Sequence, residues 1–280
     1  MCISNKPKSI LCISDLCCVG RCSLSVCAPV LSAMGIQPCM LPTALYTSHP
    51  ACIKNAAVCK TGPYCESAVS QLKQNGVNFD CVYVGFIADA SQYACAEQAF
   101  SLWDTSLKIL DPVMGDGGRL YSVSDEKLCD AVRKLCAYAD IITPNLTESA
   151  VLLGLPPCGG EITEQQLKQR VYELCRLCKS PVITGVPLEG GRHVTAGIDG
   201  ADGSYFTVEC RYTDTYFPGT GDLFTSVLTA AVLEGKKLGN AVEAAVKFVE
   251  LAISKTGVAP YETKYGLWLE NILKNNKLEF

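Results

Sequence analysis

Hydrophobic and polar positions follow two rhythms along this chain. Short runs dense in apolar and β-branched residues alternate with longer stretches whose apolar residues return every third or fourth position. The first rhythm predicts strands at Ser9–Ile13, Gln37–Ala44, Cys81–Val84, Leu107–Leu110, Ile141–Thr143 and Pro181–Thr184. The second predicts helices at Leu24–Met34, Tyr64–Asn75, Ala90–Trp103, Asp125–Tyr138, Leu146–Leu153 and Glu164–Cys178, and a closing set at Asp222–Leu233, Gly239–Lys255 and Leu267–Lys274. Thr163 and Gln166 have the spacing of a capping box for the helix they introduce. Val194–Ile198 and Tyr205–Arg211 flank Asp199-Gly200 and Asp202-Gly203, turn chemistry that predicts an antiparallel pair. Strand–helix alternation through most of the length predicts an α/β fold. Its central sheet is mainly parallel with helices on both faces, plus that short antiparallel pair. No long linker or repeat interrupts the pattern, so residues 1–280 are expected to form a single domain.

Composition narrows the functional classes. The chain is 49% hydrophobic and 19% charged, as expected of a compact globule, and its net charge is −4 with no basic run. That balance argues against nucleic acid or an anionic membrane as partner, so an anionic ligand would have to be held locally. The N-terminal apolar run stops at Asp15, too early for a signal peptide, and no run approaches a bilayer span, which predicts a cytoplasmic protein. Eighteen cysteines invite a metal or disulfide reading. The single C-x-x-C, Cys175/Cys178, lies inside a helical pattern, and only His49 and His193 could supplement it. Cys12, Cys27, Cys81, Cys129 and Cys136 occupy apolar-periodic slots, where a thiol serves as a small hydrophobe.

In open α/β sheets a ligand lies beyond the carboxyl ends of the strands. Four segments just after predicted strands or at a helix start carry candidate chemistry. In "YFPGTGDLFTSVLTAAVLEG", Gly219, Thr220 and Gly221 introduce an apolar helix that Gly235 is placed to stop. Amides at such a start make an anion hole. Asp222 in the first turn is either a favourable dipole partner or the base for an alcohol that loses its proton as it attacks phosphorus. In "LKILDPVMGDGGRLY", Asp111 and Asp116 could bind Mg²⁺ directly or through water, with the glycines forming a flexible lid; an acidic surface loop is the plainer alternative. In "ADIITPNLTESAVLLG", Asn145 and Glu148 have the spacing of a helix cap and its box partner, which by itself explains both. "SPVITGV" ends a strand in Thr184-Gly185. There is no G-x-x-x-x-G-K-[ST], no G-x-G-x-x-G after a strand and no G-x-S-x-G.

Taken in order, D-P-V-M-G-D, T-P-N-x-x-E, I-T-G and G-T-G-D resemble the ribokinase-like superfamily, and within it the pyridoxal (vitamin B6) kinase branch. "ISDLCCVGRCSLSVCAPVLSAMGIQPCMLPTALYTSH" resembles that branch's substrate side, and the resemblance runs from about Ile10 to about Thr256. It implies transfer of the γ-phosphoryl group of ATP to the 5′-hydroxymethyl of pyridoxal, pyridoxine or pyridoxamine, with Mg²⁺, and it leaves a monovalent cation open. It implies Asp222 as general base and the amides of Gly219, Thr220 and Gly221 as anion hole. Asp111 and Asp116 match the acidic pair near metal and phosphates, with Tyr121 close by. Thr143, Asn145 and Glu148 match residues near the triphosphate and Mg²⁺, so that Asp111, Asp116 and Glu148 are the implied metal set. Thr184 matches a nucleotide contact, and Ser14 the serine that hydrogen-bonds the pyridine ring. His49 and Phe86 fall at ring contacts where the chain departs from the pattern: His49-Pro50-Ala51 replaces a more polar run, and Phe86 keeps a stacking face without a hydroxyl. A homodimer is implied as well. The alternatives are a hydroxymethylpyrimidine or other small-alcohol kinase of the same fold, and a non-catalytic vitamer-binding relative. Cys17 and Cys18 lie near Ser14, within reach of a bound aldehyde, but nothing in the neighbouring sequence would lower their pKa.

Overall fold

The computed structural model describes residues 6–50, 52–89, 92–211, 213, 215–257 and 263–275. The first half contains β1 (Ser9–Val19), α1 (Leu24–Ala33), β2 (Gln37–Ser48), β3 (Val58–Lys60), α2 (Gly62–Gln74), β4 (Cys81–Val84), α3 (Tyr93–Leu102), β5 (Leu107–Leu110), β6 (Gly115–Asp116), β7 (Arg119–Leu120) and α4 (Glu126–Leu135). The second contains β8 (Ile141–Ile142), α5 (Leu146–Leu152), α6 (Glu164–Leu174), β9 (Ser180–Leu188), β10 (Arg192–Asp199), β11 (Ser204–Cys210), α7 (Thr220–Leu233), α8 (Leu238–Thr256) and α9 (Leu269–Asn275). One sheet has the order β11-β10-β9-β8-β5-β4-β1-β2-β3, and β6 and β7 form a separate hairpin. From β9 to β2 the strands are parallel. β10 and β11 extend one edge antiparallel, and β3 extends the other. The α/β fold expected from the alternation is therefore the fold observed.

Burial on both faces explains the apolar density of the central strands. Leu11, Ile13, Val82, Val84, Leu110 and Ile142 join one core, covered by α2 to α6. Their neighbours Ile10, Cys12, Cys81, Tyr83, Ile109 and Ile141 join the opposite core, covered by α1, α7, α8 and α9. The five cysteines at apolar-periodic positions are all buried, and every described cysteine identified as such is a free thiol.

The structure extends several predicted elements. β1, β2 and β9 run past their predicted ends, because pairing with a neighbouring strand continues beyond the first apolar run. β3 and the β6–β7 hairpin were not predicted; the exposed Val58–Lys60 and two-residue strands carry no hydrophobic signal. The helix expected to run through Cys178 stops at Leu174. Asp125 caps α4, which passes into a 3₁₀ turn at Cys136–Tyr138. The predicted start of α3 at Ala90 lies outside the described residues. Among the described residues no helix is long and apolar enough to cross a membrane.

Strand order reverses at β1, which pairs with β2 on one side and β4 on the other. α1 leaves β1 on one face and α2 reaches β4 across the other. A crevice opens at such a reversal, beyond the strand ends. The ends of β1 and β4 bring Ser14, Asp15, Gly85 and Phe86 there.

Candidate active site

Two clusters meet at the carboxyl ends of the sheet. The first follows from α7. Gly219, at φ 83°, turns the chain into the helix. A Cβ there would lie 2.2 Å from the carbonyl oxygen of Arg21, so only glycine lets the β1–α1 loop pack against the helix start. The first intrahelical bond runs from Leu223 N–H to Gly219 O, leaving the amides of Thr220 and Gly221 ahead of the ladder. Asp222 lies in the first turn of α7, where a carboxylate is favourably placed against the helix dipole. Its carboxylate reaches across and accepts the Ser23 N–H at 2.7 Å. Ser23 itself sits at φ 50°, unusual for a side chain larger than glycine's. Burial pushes the Asp222 carboxyl up to about 6; the Ser23 N–H opposes that shift, and the charge of Asp15 adds to it.

Asp111 directly follows β5, is buried, and faces the same helix start: a Cβ on Gly221 would stand 3.7 Å from its Oδ2. Burial, then the charges of Glu148 and Asp222, hold its carboxyl well above the usual carboxylate range, against hydrogen bonds from Thr143 and Thr225. The hydroxyls of those two threonines are 3.1 Å apart, which ties the Thr-Pro-Asn turn to α7. Glu148 serves two ends at once. It completes the capping box with Asn145, as its spacing predicted, and it is buried beside Asp111. Its Oε2 accepts from Asn145 N–H at 2.9 Å and its Oε1 from Met114 N–H at 3.0 Å. Burial still pushes it up to about 8.

The glycine-rich segment after Asp111, expected as a flexible lid, forms a docked hairpin. Gly117 and Gly118 both have positive φ, the signature of an I′-type turn. Gly115 O accepts from Asn145 Nδ2 at 2.8 Å, and Gly118 N–H donates to Thr147 Oγ1 at 2.9 Å, so α5 holds the hairpin from beneath. Asp116 stands exposed on it and accepts its neighbour's Gly117 N–H. The acidic pair read from spacing thus divides: the buried partner of Asp111 is Glu148, while Asp116 lies on the rim. Tyr121 follows the hairpin, 38% exposed, and shares a hydrogen bond with Tyr216 ahead of α7. Thr184 donates its N–H to Pro144 O at 2.9 Å, which places it beside Asn145.

The second cluster lines the β1/β4 crevice. Ser14 is buried, and its Oγ accepts the Phe86 N–H at 3.1 Å, so its own proton remains to be donated elsewhere. Gly85 must be glycine, because a Cβ would meet Ser14 Oγ at 2.8 Å. Phe86 is half-buried, and its carbonyl accepts from Thr43. His49, half-buried at the end of β2, is held below its usual pKa by burial, partly offset by Asp15. Sequence reasoning missed Asp15. It is 5% exposed, sits at a bulge between Ser14 and Leu16, and is raised by burial against hydrogen bonds from Ser23 and Cys17. The available signal was a carboxylate directly after an apolar strand.

The buried carboxylates of Asp111 and Glu148, with no cationic side chain among the main influences on either, suit a hard divalent cation. Asp111, Asp116 and Glu148 do not bring three ligand atoms within 4.8 Å of one another. A cleft at the amino ends of β5, β8 and β9, lined by Lys108, Asp140 and Lys179 among others, contains none of the site residues. Because the folded pKa of Glu148 lies at about 8, above the usual 4.5, its contribution to stability is complete below 4.5 and is lost as pH rises through about 8. Asp222 acts in the same direction between 3.8 and about 6. The melting temperature without ligand is expected to fall by roughly 5 °C as pH rises from about 5 to about 8, and Mg²⁺ to restore it. A flat profile in differential scanning fluorimetry would contradict this electrostatic picture.

Comparisons with known proteins converge on one family. The phosphomethylpyrimidine kinase family model matches residues 29–266. A hydroxymethylpyrimidine/phosphomethylpyrimidine kinase of Haemophilus influenzae is 27% identical over 61% of this chain and 64% of its own length. A pyridoxine/pyridoxal/pyridoxamine kinase of Bordetella avium is 27% identical over 86% of this chain and 82% of its own length. Among solved structures, a Bacteroides thetaiotaomicron protein assigned provisionally to the phosphomethylpyrimidine kinases, in a form with pyridoxal, has a TM-score of 0.91 and 33% identity, covering 96% of each chain. Pyridoxal kinase from Lactobacillus plantarum has a TM-score of 0.85 and 27% identity, again over 96% of each chain. The chain belongs to the phosphomethylpyrimidine kinase family. It is a small-molecule kinase of the group that includes the pyridoxal and hydroxymethylpyrimidine kinases.

Proposed function

We propose that this kinase transfers the γ-phosphoryl group of ATP to the 5′-hydroxymethyl of a B6 vitamer: pyridoxal, pyridoxine or pyridoxamine. The observation that carries the reading is the half-buried carboxylate of Asp222. It is raised to about 6 and held at a glycine-bounded helix start, beside the buried Asp111 and within one residue of the amides that would receive a phosphate. A base near that pKa is largely ionised at neutral pH yet able to take a proton.

In the proposed reaction the vitamer's hydroxyl gives its proton to Asp222 as its oxygen bonds to the γ-phosphorus, and the bond from that phosphorus to the bridging oxygen of ADP breaks. The amides of Gly219, Thr220 and Gly221 receive the transferring group at the positive end of α7. Asp111 and Glu148 would hold Mg²⁺, with Asp116 at the rim, and the ion would neutralise phosphate charge. Asn145, Thr143, Thr184 and Tyr121 surround the nucleotide side. On the other side the proton left on Ser14 Oγ is available to a ring nitrogen, with Phe86 and His49 beside the ring. Relatives support the reading: the B. avium B6 kinase aligns over most of this chain, and the B. thetaiotaomicron neighbour was crystallised with pyridoxal.

A second reading, phosphorylation of hydroxymethylpyrimidine, is favoured by the family model and by the H. influenzae relative. A ring nitrogen of either substrate could accept from Ser14, so this contact does not separate them. Product formation from the three vitamers and from hydroxymethylpyrimidine, with ATP and Mg²⁺, does. The expected result is a kcat/KM for a B6 vitamer at least about tenfold above that for hydroxymethylpyrimidine, a difference near 1.4 kcal/mol. The reverse order would transfer the assignment to the pyrimidine. We also propose a homodimer: the β2–β3 edge exposes Met40, Leu45 and Val58, an apolar surface that a second copy would cover.

A further inference from the structure

Beneath the substrate crevice, Asp15, Cys17 and Cys22 converge from the end of β1 and the loop that follows it. All three are buried, and one ligand atom from each lies within 4.8 Å of the other two. Among the described residues this is the one such group of three. Cys17 Sγ is 3.4 Å from Asp15 Oδ2, and Cys22 is in hydrogen-bonding contact with Cys17. A tetrahedral zinc ion with bonds of about 2.3 Å to sulfur and about 2.0 Å to carboxylate oxygen sets its sulfur and oxygen ligands about 3.5 Å apart. The observed sulfur–oxygen separation already has that value. We infer that Asp15, Cys17 and Cys22 form a binding site for one soft divalent cation of the zinc class, distinct from the oxygen-lined Asp111–Glu148 region.

The chemistry separates the two sites. Two thiolates prefer a zinc-class ion to Mg²⁺, and an all-oxygen set prefers the reverse. Binding releases the two thiol protons to solvent, and the third ligand supplies a carboxylate oxygen. The fourth position falls to water, His49 or Cys52: His49 acts on Asp15, and Cys52 is close enough to Cys17 to feel its charge. Three protein ligands with an open fourth position are the common form of a non-structural zinc site. The ion would also fix Cys22, whose neighbour Ser23 holds the Asp222 carboxylate, so its occupancy would set the position of the base. The inference is independent of which small alcohol the enzyme phosphorylates.

The test is metal content of the full chain, purified reduced from zinc-supplemented cells and desalted. About one equivalent of zinc per chain is expected, as is a sulfur-to-cobalt charge-transfer band with tetrahedral ligand-field bands after exchange into Co²⁺. The Cys17→Ser/Cys22→Ser variant should lose the metal and the band. Cys175→Ser/Cys178→Ser, which alters the only C-x-x-C, should keep both. Should the first variant fail to fold by circular dichroism, Asp15→Asn provides the second measurement, with at least a tenfold weaker competition against a zinc chelator expected. Native protein without stoichiometric zinc, or zinc undiminished in a folded Cys17→Ser/Cys22→Ser variant, overturns the site. So does a Cys17–Cys22 disulfide found by peptide mapping in the native reduced preparation.

Discussion

Asp222→Asn is expected to lower kcat by about 10²–10⁴, the range for a positioned acid or base, while raising the melting temperature at neutral pH, because it removes a desolvated charge. Asparagine keeps an oxygen to accept the Ser23 N–H, so the loop contact survives and only the proton acceptor is lost. The native enzyme should also lose kcat/KM as pH falls through about 6, because a carboxyl raised to that value becomes protonated there. The variant should lack that limb. The measurement is a steady-state pH profile of both proteins from about 5 to about 8. Near-native turnover in the variant, or an unchanged acid limb, would remove Asp222 from the chemistry.

Gly219→Ala is expected to damage stability and activity together. Two separate costs meet at this residue. Its φ of 83° is unfavourable for any side chain, and the added methyl would stand 2.2 Å from the Arg21 carbonyl oxygen and 3.1 Å from Cys22 Cα. Neither neighbour is a flexible side-chain end, so the β1–α1 loop must move. The combined cost is on the order of 2–5 kcal/mol from backbone strain and overpacking. Because that loop carries Ser23, its displacement also releases Asp222, and a turnover loss of at least about tenfold should accompany the lower melting temperature. Gly235→Ala is the control. Its φ is 93°, but nothing lies within 4 Å of the added methyl, so only the strain of about 1–2 kcal/mol should appear, with catalysis intact. Equal melting temperatures and rates for Gly219→Ala and the native chain would refute the close packing of loop against helix.

Much of the framework was legible because burial imposes simple periods. Cys81–Val84 and Leu107–Leu110 are observed as read; the first is buried throughout and the second in its last two residues, so apolar density marks both. The Thr163–Gln166 capping box was equally local and equally readable. β3 and the hairpin strands escaped because exposed edges and tight turns are specified by pairing partners far away in sequence. Glu148 shows a different limit. Its spacing to Asn145 explained it fully as a cap, and nothing local disclosed that the same carboxylate is buried beside Asp111. Asp116 shows the converse: spacing placed it with Asp111, but the turn at Gly117-Gly118 carries it to an exposed rim. Asp15, Cys17 and Cys22 lie within eight residues of one another, yet their convergence depends on the bulge after Ser14 and the fold-back of the following loop.

The sequence by itself determined the layered α/β fold, the helix start at Gly219–Gly221 and the order of the chemical segments along the chain. These depend on periodicity, on backbone freedom at glycine and on residue type, all of which act over a few neighbouring positions. Only the tertiary structure decided which acids share a charge environment, that Asp222 is held by Ser23 from 199 residues away, and that Glu148 rather than Asp116 stands with Asp111. Desolvation and Coulomb interaction depend on distance in space, and the sheet sets those distances by bringing strand ends together that are remote along the chain.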